Sequence, residues 1–213
     1  MLSLAGDFNY IEFIANSKSG QFFFYSHDGK YMIKTQSKEE SKLLRRIMPL
    51  YIQHLTRHPD SLLVRFYGMH RVKMKSLRSK TYFVIMSSVF NTPKPIAIKY
   101  DLKGSTVGRL TSPEDCRAGA VQKDLNLMES GNKVRLGEPN IDIFHETLKA
   151  DVTFLKELHI MDYSLLLGIH HSNPNSPNNR RSAAMRRRSS GVVLSSVRHF
   201  LNLMLVNCLS LLS

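Results

Sequence analysis

No acidic residue follows Asp162. That one fact divides the chain into a part that can build a solvated, charge-balanced domain and a part that cannot. Residues 172–213 carry six arginines and no acid, a formal +6 of the chain's +13, which leaves +7 on residues 1–171. Residues 172–199 begin "SNPNSPNNRRSAAMRRRSSG", the composition of a disordered basic linker. Residues 200–213, "FLNLMLVNCLSLLS", form an apolar tail. A spanning helix needs roughly 20 apolar residues, and Asn202 and Asn207 interrupt even this short run. Two readings fit it: an interfacial anchor beside a basic patch, or an apolar segment with no role of its own. The domain must therefore be built from residues 1–171, as one medium unit or as two small lobes.

An apolar fraction of 42% is enough for a true core. Thirty basic against 17 acidic residues point toward an anionic partner: nucleic acid, an anionic membrane face or a phosphorylated substrate. Cys116 and Cys208 fit no metal spacing and are expected as free thiols in a reducing compartment. The start "MLSLAGDFNY" lacks a basic n-region and meets Asp7 early, so no secretory signal is expected. No apolar run reaches the length of a spanning helix. His145, His159, His170 and His171 have no metal-ligand spacing and are read as surface or capping residues.

Along the body, "GQFFFYSHDGKYMIKT" reads as two strands around Asp28-Gly29, a dipeptide that favours a type I′ hairpin. In the second strand Tyr31 and Ile33 share one face, Met32 and Lys34 the other. Ser37 with Glu40 three residues later is a capping-box start. Leu43, Leu44, Ile47, Met48, Tyr51, Ile52 and Leu55 follow at helical spacing, with Pro49 expected to kink or split that helix. "SLLVRFYGMHRVKM" and "KTYFVIMSSVF" read as strands around the basic loop Lys75–Lys80, and "IAIKYDLK" as a third strand ending at Gly104. Thr111 to Gly137 is turn-rich with weak periodicity. "IDIFHETLKADVTFLKELHI" predicts a helix with Phe144, Leu148, Val152, Leu155 and Leu158 along one stripe. "SLLLGI" then reads as a buried strand. The fold class is α+β: strands with one helix, then a mainly helical half, in a bilobal arrangement.

One acid stands inside the apolar run "IMDYSLLLGIH" at Asp162. Either it is a turn or cap residue before a core strand, or it is a catalytic carboxylate. Lys34 on a strand is a natural clamp for nucleotide phosphates, and Ser19-Gly20 could bring backbone N–H groups to the same phosphates. Singly, each is ordinary: strand lysines are common and one glycine is no phosphate loop. The order carries more. A glycine-containing hairpin, a strand lysine, a capped helix, a sheet hairpin and a helix delivering an Asp to a turn is the plan of a two-lobed kinase. No full G-x-G-x-x-G and no H-R-D-x-x-x-x-N is present, which excludes an ordinary protein kinase.

"KSGQFFFYSHDGKYMIKT", "KYDLKGSTVGR", "KDLN" and "IMDYSLLLGIH" closely resemble the phosphatidylinositol phosphate kinases, over roughly residues 14–171. The resemblance implies a kinase-like fold with an antiparallel N-lobe sheet, ATP-dependent phosphorylation of an inositol ring and magnesium as cofactor. It also implies an anionic phosphoinositide membrane as partner, a peripheral position at the cytosolic face of the plasma membrane, and a possible homodimer. Most often the substrate would be phosphatidylinositol 4-phosphate, giving the 4,5-bisphosphate. By the same resemblance Lys34 holds the ATP phosphates, Ser17, Lys18, Ser19 and Gly20 form the loop covering them, and Asp162 is the catalytic aspartate. Asp101 and Lys103 of "DLKGST" contact phosphate, Arg109 lies near the lipid head group, and the adenine hinge falls around Met86–Phe90. From the kinase plan Glu40 could pair with Lys34, but its capping role competes for the same carboxylate and is the favoured reading.

Two departures qualify the likeness. Asn126 stands in "KDLN" where the family has a second acid; an amide loses the charge but can keep a hydrogen bond. The family also continues to a magnesium-binding aspartate and a lipid-selecting activation loop, for which nothing after His170 supplies an acid, so the C-lobe is expected to be incomplete and the activity impaired. The alternative is a non-catalytic basic module that binds anionic membranes. Nucleic-acid binding is not expected: no such motif is present, and Phe22, Phe23, Phe24 and Tyr25 fit a sheet core. "RRRSS" offers Ser189 and Ser190 to a basic-directed kinase, although short Arg-Ser runs also arise readily in disordered tails.

Overall fold

The computed structural model describes residues 11–14, 22–73, 80–131, 136, 138, 140–161, 163–170 and 201–204. In chain order the elements are β1 (Ile11–Ile14), β2 (Phe22–Tyr25), β3 (Tyr31–Gln36), α1 (Lys38–Arg57), β4 (Phe66–Lys73) and β5 (Lys80–Ser87). There follow β6 (Ile98–Leu102), α2 (Pro113–Arg117), α3 (Asp124–Glu129), α4 (Asn140–Glu157), β7 (Ser164–Ile169) and β8 (Leu201–Met204). The α+β class is as the sequence implies. The basic linker of residues 172–199 lies outside the described residues.

Two compact units form. The first takes Met1–Asn91, Thr147–Ser164 and Asn202–Ser213; the second takes Thr92–Glu146 and Leu165–Leu201, with β7 from its second residue on. The later part of α4 belongs with the N-terminal sheet.

In the first unit five antiparallel strands lie in the order β1-β2-β3-β5-β4, with β4 at one edge. Alternation decides the faces. Met32 and Lys34 of β3, opposite Met86 and Val84 of β5, are buried, whereas Tyr31 is exposed. Leu44, Ile47 and Tyr51 of α1 complete this core with Leu63 and Val64. The Tyr51 hydroxyl donates to Val64 O at 2.8 Å and accepts from Phe66 N at 3.2 Å, so its one polar atom is satisfied.

One local expectation is corrected, and of the two alternatives for a second, a kinked or a split helix, the split is removed. A type I′ turn needs φ above zero at both central residues, but here only Gly29 has it, at +68°. The loop instead closes with Gly29 N donating to Ser26 O at 2.8 Å, while the Asp28 carboxylate takes the Ser26 hydroxyl and Lys30 N. That side-chain capture holds Asp28 out of the left-handed region. Pro49, for its part, does not split α1, which runs continuously from Lys38 to Arg57. Both Pro49 and Arg45, whose carbonyl loses its helical donor, are exposed, so water can take that bond.

In the second unit β6 and β7 pair antiparallel, with Tyr100 opposite Leu167 and both buried. The stretch read as turns contains α2 and α3, of five and six residues, too short to show a helical apolar period. Ser112 caps α2 by accepting from Asp115 N, with Pro113 in the first turn.

The apolar stripe read along α4 is only partly buried. Leu155 is buried, but Phe144, Leu148, Val152 and Leu158 are intermediate, and the other fully buried residue is Asp151. Asp151 Oδ1 meets His54 Nε2 at 2.6 Å and accepts from Ser61 Oγ at 2.7 Å, while Oδ2 accepts from Leu62 N at 2.7 Å. His54 also stacks on Phe154, with ring centroids 4.3 Å apart. A carboxylate this deep is tolerable only because donors meet both oxygens. The network ties the later part of α4 to α1.

Candidate functional site

Lys34 lies mid-strand in β3, paired with Val84 on one side and Phe23 on the other. It is only 2% exposed. Burying an ammonium costs several kcal/mol unless it is compensated, by roughly the effective penalty for a single ion. Compensation comes from the start of α1: Lys34 Nζ lies 4.0 Å from Glu40 Oε1, and 5.8 Å from the centre of the Phe23 ring. Glu40 does not choose between its two expected roles. Its Oε2 accepts from Ser37 N while Ser37 Oγ accepts from Glu40 N, completing the capping box, and Oε1 is left facing Lys34. The cap thus orients the carboxylate toward the lysine.

Asp101, Lys103 and Arg109, all of the second unit, are brought together around Asp124. Lys103 N and Gly104 N both donate to Asp124 Oδ1, at 3.0 and 2.8 Å. Gly104 has φ +69°, a conformation that favours glycine, and this lets two successive amides aim at one oxygen. Arg109 Nε donates to Asp124 Oδ2 at 2.7 Å, and its Nη2 donates to Asp101 Oδ1 at 2.9 Å and to Asp101 O. Burial pushes the Asp124 carboxyl up, but the Arg109 hydrogen bond and the Gly104 and Lys103 amides outweigh it, and the group sits below the usual carboxylate range. Burial likewise opposes the Arg109 charge, and its two acids more than restore it, raising its pKa.

Asn126 explains itself in the same loop. Its Oδ1 accepts from Thr111 N at 2.8 Å and from Lys123 N at 3.1 Å, and its Nδ2 donates to Thr111 O at 3.0 Å. An ionised carboxylate could not make the last bond, so the amide here does more than retain one hydrogen bond.

α4 ends at Glu157, four residues before Met161. Ile160 N donates to Leu155 O at 2.9 Å and His159 N to Lys156 O at 3.0 Å, a Schellman closure with His159 in the left-handed region at φ 54°. Ile160 returns to the core, Met161 is exposed, and β7 begins at Ser164. Asp162 itself lies outside the described residues, as do Ser17, Lys18, Ser19 and Gly20. At the expected hinge, β5 ends at Ser87; Ser88 and Val89 are buried, and Ser88 N donates to Lys30 O. Among the described residues no group of three or more His, Cys, Asp or Glu side chains could hold a metal ion. No described helix is long and apolar enough to cross a membrane.

Sequence reasoning did not anticipate the Asp151–His54–Ser61 network. Its only sequence signal is an acid on the otherwise apolar side of α4.

A family model described as phosphatidylinositol-4-phosphate 5-kinase matches residues 4–198. The chain is 46% identical over 170 residues to a probable phosphatidylinositol phosphate kinase of Dictyostelium discoideum, covering 78% of this chain and 24% of that protein. It is 39% identical over 166 residues to a phosphatidylinositol 4-phosphate 5-kinase of Plasmodium falciparum, covering 75% and 10%. With human phosphatidylinositol 4-phosphate 5-kinase-like protein 1 it shares 42% over 160 residues, covering 74% and 40%. The chain thus spans from 10% to 40% of the length of these relatives.

Proposed function

The chain belongs to the phosphatidylinositol-4-phosphate 5-kinase family, and on that premise we propose that its residues transfer the γ-phosphoryl group of ATP to the inositol ring of a phosphatidylinositol phosphate. The substrate assigned is phosphatidylinositol 4-phosphate and the product the 4,5-bisphosphate, at the cytosolic face of the plasma membrane. The observation that carries this reading is the buried Lys34–Glu40 pair, with Nζ 4.0 Å from Oε1. An ammonium held on a rigid strand by a helix-borne carboxylate is the arrangement that presents a fixed positive charge to phosphate oxygens.

In this scheme Lys34 binds the phosphates of ATP, under the loop that contains Ser17, Lys18, Ser19 and Gly20. Asp162 accepts a hydrogen bond from the attacking ring hydroxyl and takes its proton as the oxygen–phosphorus bond forms. The bond from the γ-phosphorus to the β–γ bridging oxygen breaks, and the electron pair leaves on ADP. Asp101 and Lys103 contribute to phosphate contact. Arg109 reaches the head group through Nη1, the nitrogen engaged by neither of its acids, while Nε and Nη2 hold the "DLKGS" loop. Magnesium, when bound, would neutralise the transferring phosphates.

The test is transfer of labelled phosphate from ATP with magnesium to vesicles containing phosphatidylinositol 4-phosphate or 5-phosphate. The chain should label the lipid, Asp162→Asn should lose at least about a hundredfold in rate, and Lys34→Met should be similarly impaired. A folded chain that binds the vesicles and transfers nothing would replace this reading with that of a non-catalytic membrane-binding module.

A further inference from the structure

A second cationic feature lies in the first unit, away from the Lys34 ammonium, on an exposed face of α1. Lys38, Ser41, Lys42 and Arg45 recur at i, i+3, i+4 and i+7 and so share one face of α1. That face borders the edge of the sheet, where Arg71 of β4 stands opposite Tyr82 of β5 in the ladder. Together these six residues line most of a groove of about 410 Å³. No carboxylate lines it. Glu39 and Glu40 belong to other faces of the helix, and Glu40 is committed to Ser37 and Lys34.

Four fixed cations share this groove, and among the described residues none of them is in an ion pair. Lys38, Lys42, Arg45 and Arg71 are exposed, so each is individually solvated; Ser41 is buried and Tyr82 half-buried, giving the groove a floor with two hydroxyls. An α-helix face that gathers like charges against a strand arginine is electrostatically unfavourable in itself. It becomes favourable when an anion occupies the space.

We propose that this groove is a binding site for a ligand carrying two phosphate monoesters. Size and charge argue together. A phosphate monoester carries about 1.5 to 2 negative charges at neutral pH, so two supply about three to four, matching four cations. A groove of about 410 Å³ exceeds what a single phosphate fills and lies in the range of small-molecule sites, roughly 300–1,000 Å³. Two arginines provide bidentate, planar donors and two lysines point charges, the usual division of labour for phosphate groups. The same chemistry is carried by a soluble inositol bisphosphate and by the head group of a bisphosphorylated lipid.

Titration calorimetry of the whole chain, without ATP, tests the site with two probes. One is soluble inositol 4,5-bisphosphate; the other is phosphatidylcholine vesicles with or without phosphatidylinositol 4,5-bisphosphate. Binding is expected, and Lys42→Ala with Arg71→Ala should weaken it about tenfold or more for each cation removed. Lys30→Ala with Arg117→Ala removes the same charge from exposed positions elsewhere and should leave affinity within about twofold. Binding of the soluble probe supports a free ligand. Binding of the lipid vesicles alone, lost in the same double variant, supports the groove and assigns its ligand to the membrane. Failure to bind either probe, or equal weakening by both double variants, overturns the proposal. Because no phosphate transfer is read, failure here leaves the kinase reading standing, and the reverse also holds.

Discussion

Lys34–Glu40 and Asp101–Arg109–Asp124 are both charge clusters on residues that motifs single out, yet they are built on opposite plans. The first is one cation and one anion, each at most 4% exposed, with a contact of 4.0 Å. The second is a cation between two acids at 2.7 and 2.9 Å, with two backbone amides on the same carboxylate. A long contact in a dry place holds charge in position at little directional cost. A short network, with both acids held by the guanidinium, resists change and holds a loop. The difference teaches that a charged motif residue can be either the instrument or its mounting. Hydrogen-bond saturation distinguishes them better than charge does.

The comparison can be broken or sharpened in order of expected effect. Asp124→Ala leaves the Arg109 guanidinium short of an acid and two amides without their acceptor. A loss of about 3–5 kcal/mol is expected, read as a lowered urea midpoint with unchanged slope. Double-mutant cycles come next. Arg109→Met with Asp124→Asn should give a coupling of about 3 kcal/mol, and Lys34→Met with Glu40→Gln only about 1 kcal/mol. Equal couplings would erase the distinction between the two clusters.

Acid adds a third probe. The Asp124 carboxyl lies below its ordinary value in the folded chain, with burial opposing and Arg109 and the two amides prevailing. Its contribution is therefore fully present above the unfolded value of about 3.9 and is lost as pH falls through the folded value. The stability gap between the wild-type chain and Asp124→Asn should close over that acid window and stay constant above about pH 5. A gap that instead grew on acidification would contradict the assignment. The smallest effect concerns the end of α4. His159→Gly relieves a left-handed φ of 54° at the cost of added unfolded-state entropy, for a net gain of up to about 1 kcal/mol in thermal unfolding.

Much of the local architecture was legible because its causes are local. The Ser37–Glu40 capping box, the position of the first hairpin and the shared face of Met32 and Lys34 follow from interactions spanning a few residues. Where side chains compete, local rules alone misled: the Asp28 carboxylate prefers Ser26 and Lys30 N, and so replaces the expected type I′ geometry. The short helices α2 and α3 escaped because five or six residues carry no measurable period. Of the candidate site, Lys34, Asp101, Lys103 and Arg109 were named from their motifs, but their partners were mostly not. Arg109 was read as facing a head group, and nothing in its motif announces that two of its three nitrogens hold Asp101 and Asp124.

The sequence by itself determined that the chain is a member of a lipid kinase family, that its first sheet is antiparallel, and that Lys34 shares a strand face with Met32. Motif identity and the two-residue period of a strand are properties of adjacent residues, and they survive without knowledge of what packs where. Tertiary structure alone decided that Asp151 meets His54 across 97 positions of sequence, and that Glu40 serves cap and lysine at once. It alone set the cations of α1 beside Arg71 on a strand edge. Such contacts are fixed by how elements pack, and burial sets their strength because charges removed from water must find each other.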